Sequence, residues 1–539
     1  MMRTPAVILT VLSVVLAAAP APAHEKLGIV SFPTSCTAAA QPKFDRAVAL
    51  LHSFWFQTAL DGFADTAKTD PGCAMAHWGT AMTLLGNPLA GPPSPKALAE
   101  GAAAVDRAKA ANAKTQRERD YVAAIENFYR DADKVEHRTR AVAYERAMAD
   151  LTARYPSDPE AAIFYALALN ITLNPNDKTY ANQLKAAAVL ERAFAQQPDH
   201  PGVAHYLIHS YDFPPIAQKG LPAARRYAAI APSAPHALHM PSHIFTRVGA
   251  WQESIDTNRA SAGAAKEELS RQGQQALGSY NALHAMDYMV YGYMQLVKDK
   301  EARAVLTEIS GLSKLDVEHF AAAYAFAAIP ARYALERRQW AEAAALVFHP
   351  SELSWNKFPM AESITWFARG LGAARSGDVA RARKDLERIV ALRDGQAAAK
   401  SAYWAEQSEI QRIAVSAWIA RAEGKNDEAL ALMRQAADRE DATEKHPVTP
   451  GALFPAREML GDMLLEVGRP ADALTEFEAS QRVDPNRFLG LYGAARAAEQ
   501  AGNAVKARTY YTQLVALART GDAERPELRQ ARTFIGQSK

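Results

Sequence analysis

Apolar residues along most of the chain follow the spacing of helix faces, and no long stretch alternates apolar and polar residues as a strand would. The pattern is clearest near the C-terminus, where a glycine, an alanine and an aromatic residue recur about 34 residues apart. The two sets are Gly468, Ala473 and Phe477, and Gly502, Ala507 and Tyr511. A glycine suits the turn between helices, a small residue suits a helix crossing, and a ring fills the gap between hairpins. The pattern therefore predicts an all-α chain of stacked helical hairpins.

Earlier segments follow the same pattern with more variation. Trp340 with Ala343 and Trp418 with Ala429 extend it upstream, and residues that fit it run from about 44 to 518. On these residues the chain resembles the tetratricopeptide repeat (TPR) superfamily. The resemblance implies a TPR-type helical-hairpin solenoid in which the first helix of each hairpin lines a concave groove.

Proline-rich segments interrupt the repeat at several places, among them residues 87–95, 213–215, 349–359 and 446–455. The segment 349–359 is the best candidate for a domain boundary. We therefore expect two stacked arrays, a divergent N-terminal array at 24–348 with a histidine-rich groove and a C-terminal TPR array at 360–539.

The N-terminal residues have the composition of a secretory signal peptide. Arg3 precedes an apolar stretch at 7–19, and Ala-Pro-Ala at 21–23 matches a signal-peptidase site. The sequence predicts cleavage after Ala23 and an exported protein, periplasmic or secreted in a bacterium. A retained membrane anchor is the alternative, which the shortness of the apolar stretch disfavours.

Cys36 and Cys73 are the only cysteines. In an oxidising compartment they are expected to form a disulfide, with free thiols or metal ligands as the alternatives. The segments 32–36 and 70–76, which contain them, are similar to predicted exported bacterial TPR proteins without an assigned activity. That resemblance supports the fold and the export.

Histidines concentrate in the middle of the chain, where six of the 14 lie between residues 200 and 243. They are His200, His205, His209, His236, His239 and His243. The TPR resemblance implies which side chains of successive first helices face the groove. These are His205, His209 and Asp212, then His239 and His243, then His284 and Asp287, with Tyr288 and Tyr291 beside them.

His205 and His209 have a spacing of four, which places both rings on one face of a helix. His239 and His243 share the spacing, but Pro241 lies between them and favours the first helical turn, so His239 is expected just before the helix, in a loop that can still direct it into the groove. Such pairs suit a transition-metal ion, zinc or copper. The candidate ligands are His205, His209, His239, His243 and His284. Two alternatives stay open, namely a polar ligand groove without metal and a purely structural role in hydrogen bonding between hairpins.

The charge balance and the absence of common catalytic motifs reduce the number of function classes that the sequence favours. Lys and Arg total 61 against 59 for Asp and Glu, so nothing favours nucleic acid as a partner. The sequence contains no Gly-rich phosphate loop, no Gly-x-Ser-x-Gly and no His-Glu-x-x-His motif. The leading hypothesis is therefore an exported, non-enzymatic scaffold that binds a peptide, a protein or a small polar ligand. The alternative is a zinc or copper metalloprotein, such as a hydrolase or an oxidoreductase.

Overall fold

The structure, a computed structural model, describes residues 25–174 and 176–537. These residues form an all-α solenoid of helical hairpins, which confirms the predicted fold class. The described residues contain no β-strand, only an isolated bridge between Gly278 and Leu315. The predicted signal peptide at 1–23 lies outside the described residues. Among the described helices, none is both long and apolar enough to cross a membrane.

The N-terminal part of the solenoid contains helices α1 to α13, with one short 3-10 helix at Ala217–Gly220. Several begin with proline in the first turn, where its missing N–H costs no hydrogen bond. The helices are α1 (Gln41–His52), α2 (Phe56–Thr69), α3 (Ala74–Thr83), α4 (Pro95–Ala110), α5 (Gln116–Tyr129), α6 (His137–Arg154), α7 (Pro159–Ile171), α8 (Ala181–Gln196), α9 (Pro201–Tyr211), α10 (Leu221–Ile230), α11 (Pro235–His239), α12 (Pro241–Arg247) and α13 (Trp251–Arg271).

The C-terminal part contains α14 to α26, with 3-10 helices at Trp355–Lys357 and Ala518–Thr520. Its helices are α14 (Tyr280–Gln295), α15 (Asp299–Ser310), α16 (Phe320–Glu336), α17 (Trp340–Ala344), α18 (Pro359–Arg375), α19 (Val379–Ala398), α20 (Ala402–Ala422), α21 (Asn426–Ala442), α22 (Ala456–Glu466), α23 (Pro470–Val483), α24 (Phe488–Gln500), α25 (Ala504–Leu517) and α26 (Pro526–Gln537).

The repeat residues at the C-terminal end occupy the positions that the sequence predicts. Gly468 and Gly502 lie in the turns between paired helices at φ of 74° and 77°, a left-handed conformation that glycine adopts without strain. The Phe477 ring lies between Gly461 and Gly493, and a Cβ added at Gly493 would be 2.2 Å from that ring. The aromatic ring therefore fills the space that the two glycines leave on the neighbouring helices.

Two apolar cores divide the solenoid. One contains buried residues from Leu27 to Phe245, and the other runs from Trp251 to Ala531. The irregular segment 349–359 lies inside the second core, between α17 and α18. The division into arrays at 24–348 and 360–539 remains a prediction.

The last hairpins curl back onto the start of the second core. Trp251 Nε1 donates to the carbonyl of Asn486 at 2.8 Å. Next to it the buried Arg487 guanidinium pairs with Glu336 and Glu458, each at 2.7 Å. These contacts join the two residues before α24 to α13, α16 and α22, so they hold the last hairpins against the start of the second core.

Cys36 and Cys73 lie at disulfide distance, with 1.99 Å between the sulfurs, which confirms the predicted pair. The bond joins the segment before α1 to the residue before α3, and it tethers the N-terminal segment to the end of the first hairpin.

Candidate metal centre

Four helices bring six imidazole rings together where the two cores meet. His205 and His209 lie on α9, His236 and His239 on α11, His243 on α12 and His284 on α14. Proline explains the break between α11 and α12, because Pro241 cannot donate to the carbonyl four residues earlier and its ring crowds that turn. The two short helices thereby direct three histidines toward the rings of α9 and α14.

The first trio consists of His205, His209 and His236. His205 Nε2 lies 3.1 Å from His209 Nε2 and 3.3 Å from His236 Nε2. The ligand nitrogens of all three rings lie within 4.8 Å of one another. His205 and His209 are fully or nearly fully buried, whereas His236 is partly exposed.

The end of α1 fixes the orientation of His205. The last carbonyls of a helix have no donor within it, and His52 is the last residue of α1. His205 Nδ1 donates to the His52 carbonyl at 2.6 Å. The proton of the ring is therefore on Nδ1, and the lone pair of Nε2 points into the first trio.

The second trio consists of His239, His243 and His284. His239 Nε2 and His243 Nε2 are 3.0 Å apart, and the His284 ring centroid is 4.3 Å from that of His239. The trio spans both halves of the molecule, since His284 comes from a helix of the second core.

Oxygen acceptors fix the tautomers of two rings in the second trio. His239 Nδ1 donates to Asn258 Oδ1 at 2.7 Å, and the amide orientation is set because Asn258 Nδ2 donates to the Ser254 carbonyl. His243 Nδ1 donates to a carboxylate oxygen of Asp212 at 3.0 Å. Both rings carry their proton on Nδ1, so both Nε2 atoms present lone pairs.

These two lone pairs face each other at 3.0 Å, which is repulsive unless a cation lies between them. The hydroxyl of Tyr288 is the nearest hydroxyl donor, 3.4 Å from His243 Nε2. Its single proton has a closer acceptor in the Thr449 carbonyl, at 3.1 Å. The second trio therefore has an excess of acceptors over donors.

Asp212, just past the end of α9, supports the site from behind. One of its carboxylate oxygens accepts from Arg247 Nε at 2.9 Å, and the other accepts from Lys445 Nζ at 2.8 Å as well as from His243. Burial alone would raise the pKa of Asp212, but Lys445 and Arg247 hold it well below its ordinary value. The carboxylate is charged, and a carboxylate behind an imidazole is a common second shell of metal sites.

Burial and mutual repulsion keep the rings neutral. The pKa values of five of them are well below the ordinary 6.5, first because of burial and then because of neighbouring histidines or Lys445. The five are His205, His209, His236, His239 and His284. Burial also lowers the pKa of His243, although Asp212 opposes the shift. Neutral imidazole is the form that binds metal.

His236 and His284 are the residues of the two trios that are partly exposed, so they lie on the side of the centre nearest to solvent. Phe54 borders this side, with its ring stacked on His236 at a centroid distance of 5.5 Å. Its backbone has a φ of 50°, in the left-handed region that a bulky residue adopts at a cost. The strained turn after α1 thus places an aromatic wall against the first trio.

A third buried group contains His52, Glu160 and His200. Glu160 accepts from His52 Nε2 at 3.0 Å and from His200 Nε2 at 2.8 Å. The other nitrogen of each ring accepts a hydrogen bond, His52 Nδ1 from the Tyr206 hydroxyl and His200 Nδ1 from the Val203 N–H. Although burial opposes it, the two histidines lower the pKa of Glu160 to about 2. Every ring nitrogen of this group has a partner.

The remaining candidates from the sequence take different places. Tyr288 packs against the His239 and His243 rings, at centroid distances of 4.7 and 5.3 Å. Asp287 faces Arg332 instead, with 3.9 Å between Oδ1 and Nε. The Tyr291 hydroxyl bonds to Arg487 at 2.9 Å. The structure brings neither Asp287 nor Tyr291 into the two trios.

The sequence-based ligand set omitted His236, and it did not include Asn258 or the Glu160 group. The sequence placed His236 in the histidine cluster, but the structure puts it in the first trio, apart from His239 of the same helix. Asn258 comes from α13, and no local pattern marks it. Only the tertiary fold brings these residues to the site.

Comparisons with known proteins add little to this geometry. No family model and no curated protein sequence matches the chain. Similar solved structures include the human IFIT1 dimer with PPP-AAAA, at 12% identity over 88% of this chain and 89% of that one, with a TM-score of 0.37. The P58(IPK) TPR domain is similar at 13% identity over 71% of this chain and 99% of that one, with a TM-score of 0.21. At these TM-scores the likeness carries no argument about the site.

Proposed function

We propose that this protein is a metalloprotein in which a TPR-like solenoid holds two transition-metal ions, one in each histidine trio. One observation carries the proposal. The Nε2 atoms of His239 and His243 face each other at 3.0 Å, and both protons are held on the opposite nitrogens by Asn258 and Asp212. A metal ion accepts both lone pairs and removes the repulsion.

The distances fit metal ligation. Two imidazoles that bind one ion at about 2.0–2.1 Å in tetrahedral geometry have nitrogens about 3.3 Å apart. The Nε2–Nε2 separations are 3.0 Å between His239 and His243 and 3.1 and 3.3 Å in the first trio, and all ligand atoms of each trio lie within 4.8 Å of one another. The His52 carbonyl, Asn258 and Asp212 then serve as the second shell that orients three of the six rings.

An all-imidazole donor set favours zinc or copper over magnesium, calcium or manganese, which prefer oxygen ligands. Three protein ligands per ion leave a coordination position for water or a substrate, the arrangement of a reactive rather than a purely structural site. The metalloprotein, which was the alternative hypothesis from the sequence, is therefore the function that we propose first. In this proposal the solenoid positions the metal ligands. The proposal includes an exported location, supported by the N-terminal sequence and the disulfide.

Elemental analysis of the full chain, expressed with added copper and zinc and purified without an affinity tag, tests the proposal. We expect about two metal equivalents, since there are two trios with three ligands each. A double variant, His239→Ala with His243→Ala, should lose one of them. His77→Ala, which changes a histidine outside the three groups, serves as the matched control. Metal below a few tenths of an equivalent in the unsubstituted protein contradicts the proposal.

A second candidate function rests on a cavity of about 650 Å³ between the two halves. Its wall includes Arg247 and Lys445, the two cations of Asp212, together with Tyr180, Tyr324 and Tyr403. Its size is that of a small-ligand site. We propose it as the place where the expected polar ligand binds, most simply a short peptide.

Equilibrium dialysis of the protein against a mixture of synthetic tetrapeptides tests this second function. Retention of a subset of acidic or basic sequences, lost in a Tyr403→Ala variant, supports it. Equal concentrations of every peptide on both sides of the membrane rule out a short peptide as the ligand.

A further inference from the structure

The two trios are neighbours, and one short segment supplies ligands to both. His236 belongs to the first trio, while His239 and His243 belong to the second. Across the border, the ring centroids of His209 and His243 are 5.9 Å apart, as are those of His236 and His239. Ions in adjoining sites of this kind are typically about 3.5–4 Å apart, close enough for one small ligand to bridge them.

The charges around the trios limit which ions fit. Among the described residues, Asp212 is the one carboxylate that hydrogen-bonds to a ring of the two trios. Its charge is already paired with Arg247 and Lys445, so it is not free to neutralise a bound ion. Two divalent ions would add four further positive charges to a buried region, which is costly without counter-ions. Two copper(I) ions would add only two.

From this geometry we infer that the centre is a pair of copper(I) ions whose ligand is dioxygen. The inference rests on the proposed function, and it names the metal and the small molecule that this site takes. Each copper(I) ion gives up one electron, and dioxygen accepts the two electrons as it becomes a peroxide that bridges two copper(II) ions. No proton or further reductant is needed for this step.

The charge balance supports this pairing of metal and ligand. Two copper(I) ions carry two positive charges, and two copper(II) ions with one peroxide dianion also carry two. Binding therefore leaves the total charge of the buried site unchanged, so no counter-ion has to enter. Three protein ligands per ion leave open coordination positions for a diatomic molecule, and His236 and His284 are the residues of the two trios that are not fully buried.

The protein also protects such a centre from wider access. His205, His239 and His243 are almost fully buried, and Phe54 covers the His205 ring at a centroid distance of 4.4 Å. Exclusion of water limits the loss of a reactive bound oxygen species to side reactions. Burial and the Phe54 ring thus shield the centre from large solutes.

Anaerobic loading of the full chain with copper(I), followed by a measured pulse of dioxygen, tests the inference. We expect uptake of one dioxygen per two coppers and an oxidised protein without a copper(II) signal in electron paramagnetic resonance, because the two ions are magnetically coupled through the bridge. His284→Ala, which removes a partly exposed ligand of the second trio, should reduce the uptake at least tenfold and produce the signal of isolated copper(II). His77→Ala should behave like the unsubstituted protein.

The outcomes separate the inference from the proposed function. If the protein binds two coppers but oxidises to two uncoupled copper(II) ions without stoichiometric dioxygen uptake, the inference is wrong and the metal centre stands. Binding of zinc but not of copper(I) likewise overturns the inference and leaves the metal centre in place. If neither metal binds, the proposed function fails too.

Discussion

Two groups of buried histidines lie side by side in this protein and differ in their hydrogen bonding. In the group of His52, Glu160 and His200, each ring nitrogen has a partner of the opposite kind. In the second trio, His239 and His243 turn lone pairs toward each other. In both groups most members are buried and the ligand atoms lie within 4.8 Å of one another, so neither burial nor proximity identifies a metal ligand. The balance of hydrogen-bond donors and acceptors distinguishes the two groups, because only the second trio has facing acceptors without a donor between them.

The largest expected effect is a difference in metal content between substitutions in the two groups. His243→Ala removes one of the two facing nitrogens and should abolish binding of one metal equivalent. His52→Ala keeps the backbone carbonyl that orients His205, so it should retain both equivalents in protein that is still folded. Elemental analysis with circular dichroism on the same samples measures both. Equal metal loss in the two variants would contradict the distinction.

The second expected effect is on stability. Here a substitution in the group of His52, Glu160 and His200 should lower the free energy of unfolding without changing the metal content. Glu160→Ala leaves two buried imidazoles without their acceptor, and breaking a buried ionic hydrogen-bond group costs about 3–5 kcal/mol. We expect urea unfolding to show a loss of that size, with the metal content of the folded protein unchanged. Glu160→Gln, which keeps one acceptor oxygen, should lose less.

The fold could be predicted from the sequence because the repeat is local. Gly468, Ala473 and Phe477 specify a helical hairpin within ten residues, and the hairpin forms as predicted. The pair His205 and His209 was equally predictable, since four residues on a helix fix one face. His236 was not, because Pro235 and Pro241 divide its segment into two short helices whose angle no spacing encodes.

The second shell could not be predicted for a different reason. Asn258 acts on His239 from a helix 19 residues further along, and the His52 carbonyl reaches His205 across 153 residues. An asparagine or a backbone carbonyl has no signature of its own in a sequence. Deciding which ring nitrogen carries the proton, and so which histidines can bind metal, requires the folded contacts.

The buried histidine rings and the Glu160 carboxylate should respond to acid at different pH; burial lowers the pKa of His52 as it does those of the trio rings. The ring pKa values in the trios lie below 6.5, so the unfolded chain takes up protons before the folded metal-free protein does. The free energy of unfolding should fall as the pH drops below about 6.5, by up to about 1.4 kcal/mol per pH unit for each proton. The pKa of Glu160 is lowered from 4.5 to about 2. Its contribution to the free energy of unfolding should therefore be lost only as the pH falls from about 4.5 to about 2.

Urea titrations of the metal-free protein at a series of pH values measure this dependence. A variant with His239→Phe and His284→Phe should show a shallower loss of stability below pH of about 6.5, since fewer protons are taken up on unfolding. A slope equal to that of the unsubstituted protein would show that these rings already titrate normally in the fold. Bound metal should shift the loss to lower pH, because protons then compete with the ion for the ring nitrogens.

The smallest expected effect isolates the second shell. Asn258→Ala removes the acceptor that holds the proton of His239 on Nδ1, so the ring can turn a proton toward His243 and relieve the repulsion without metal. Loss of such a partner typically weakens metal affinity about 10–100-fold. Ser261→Ala is the matched control, because Ser261 lies on the same helix and bonds the Pro235 carbonyl of α11 without contacting a ring. Competition with a chelator of known affinity measures both variants. If both lose affinity equally, α13 acts only by holding α11 in place; if Asn258→Ala alone loses it, a single amide decides whether this pair of histidines is a hydrogen bond or a metal site.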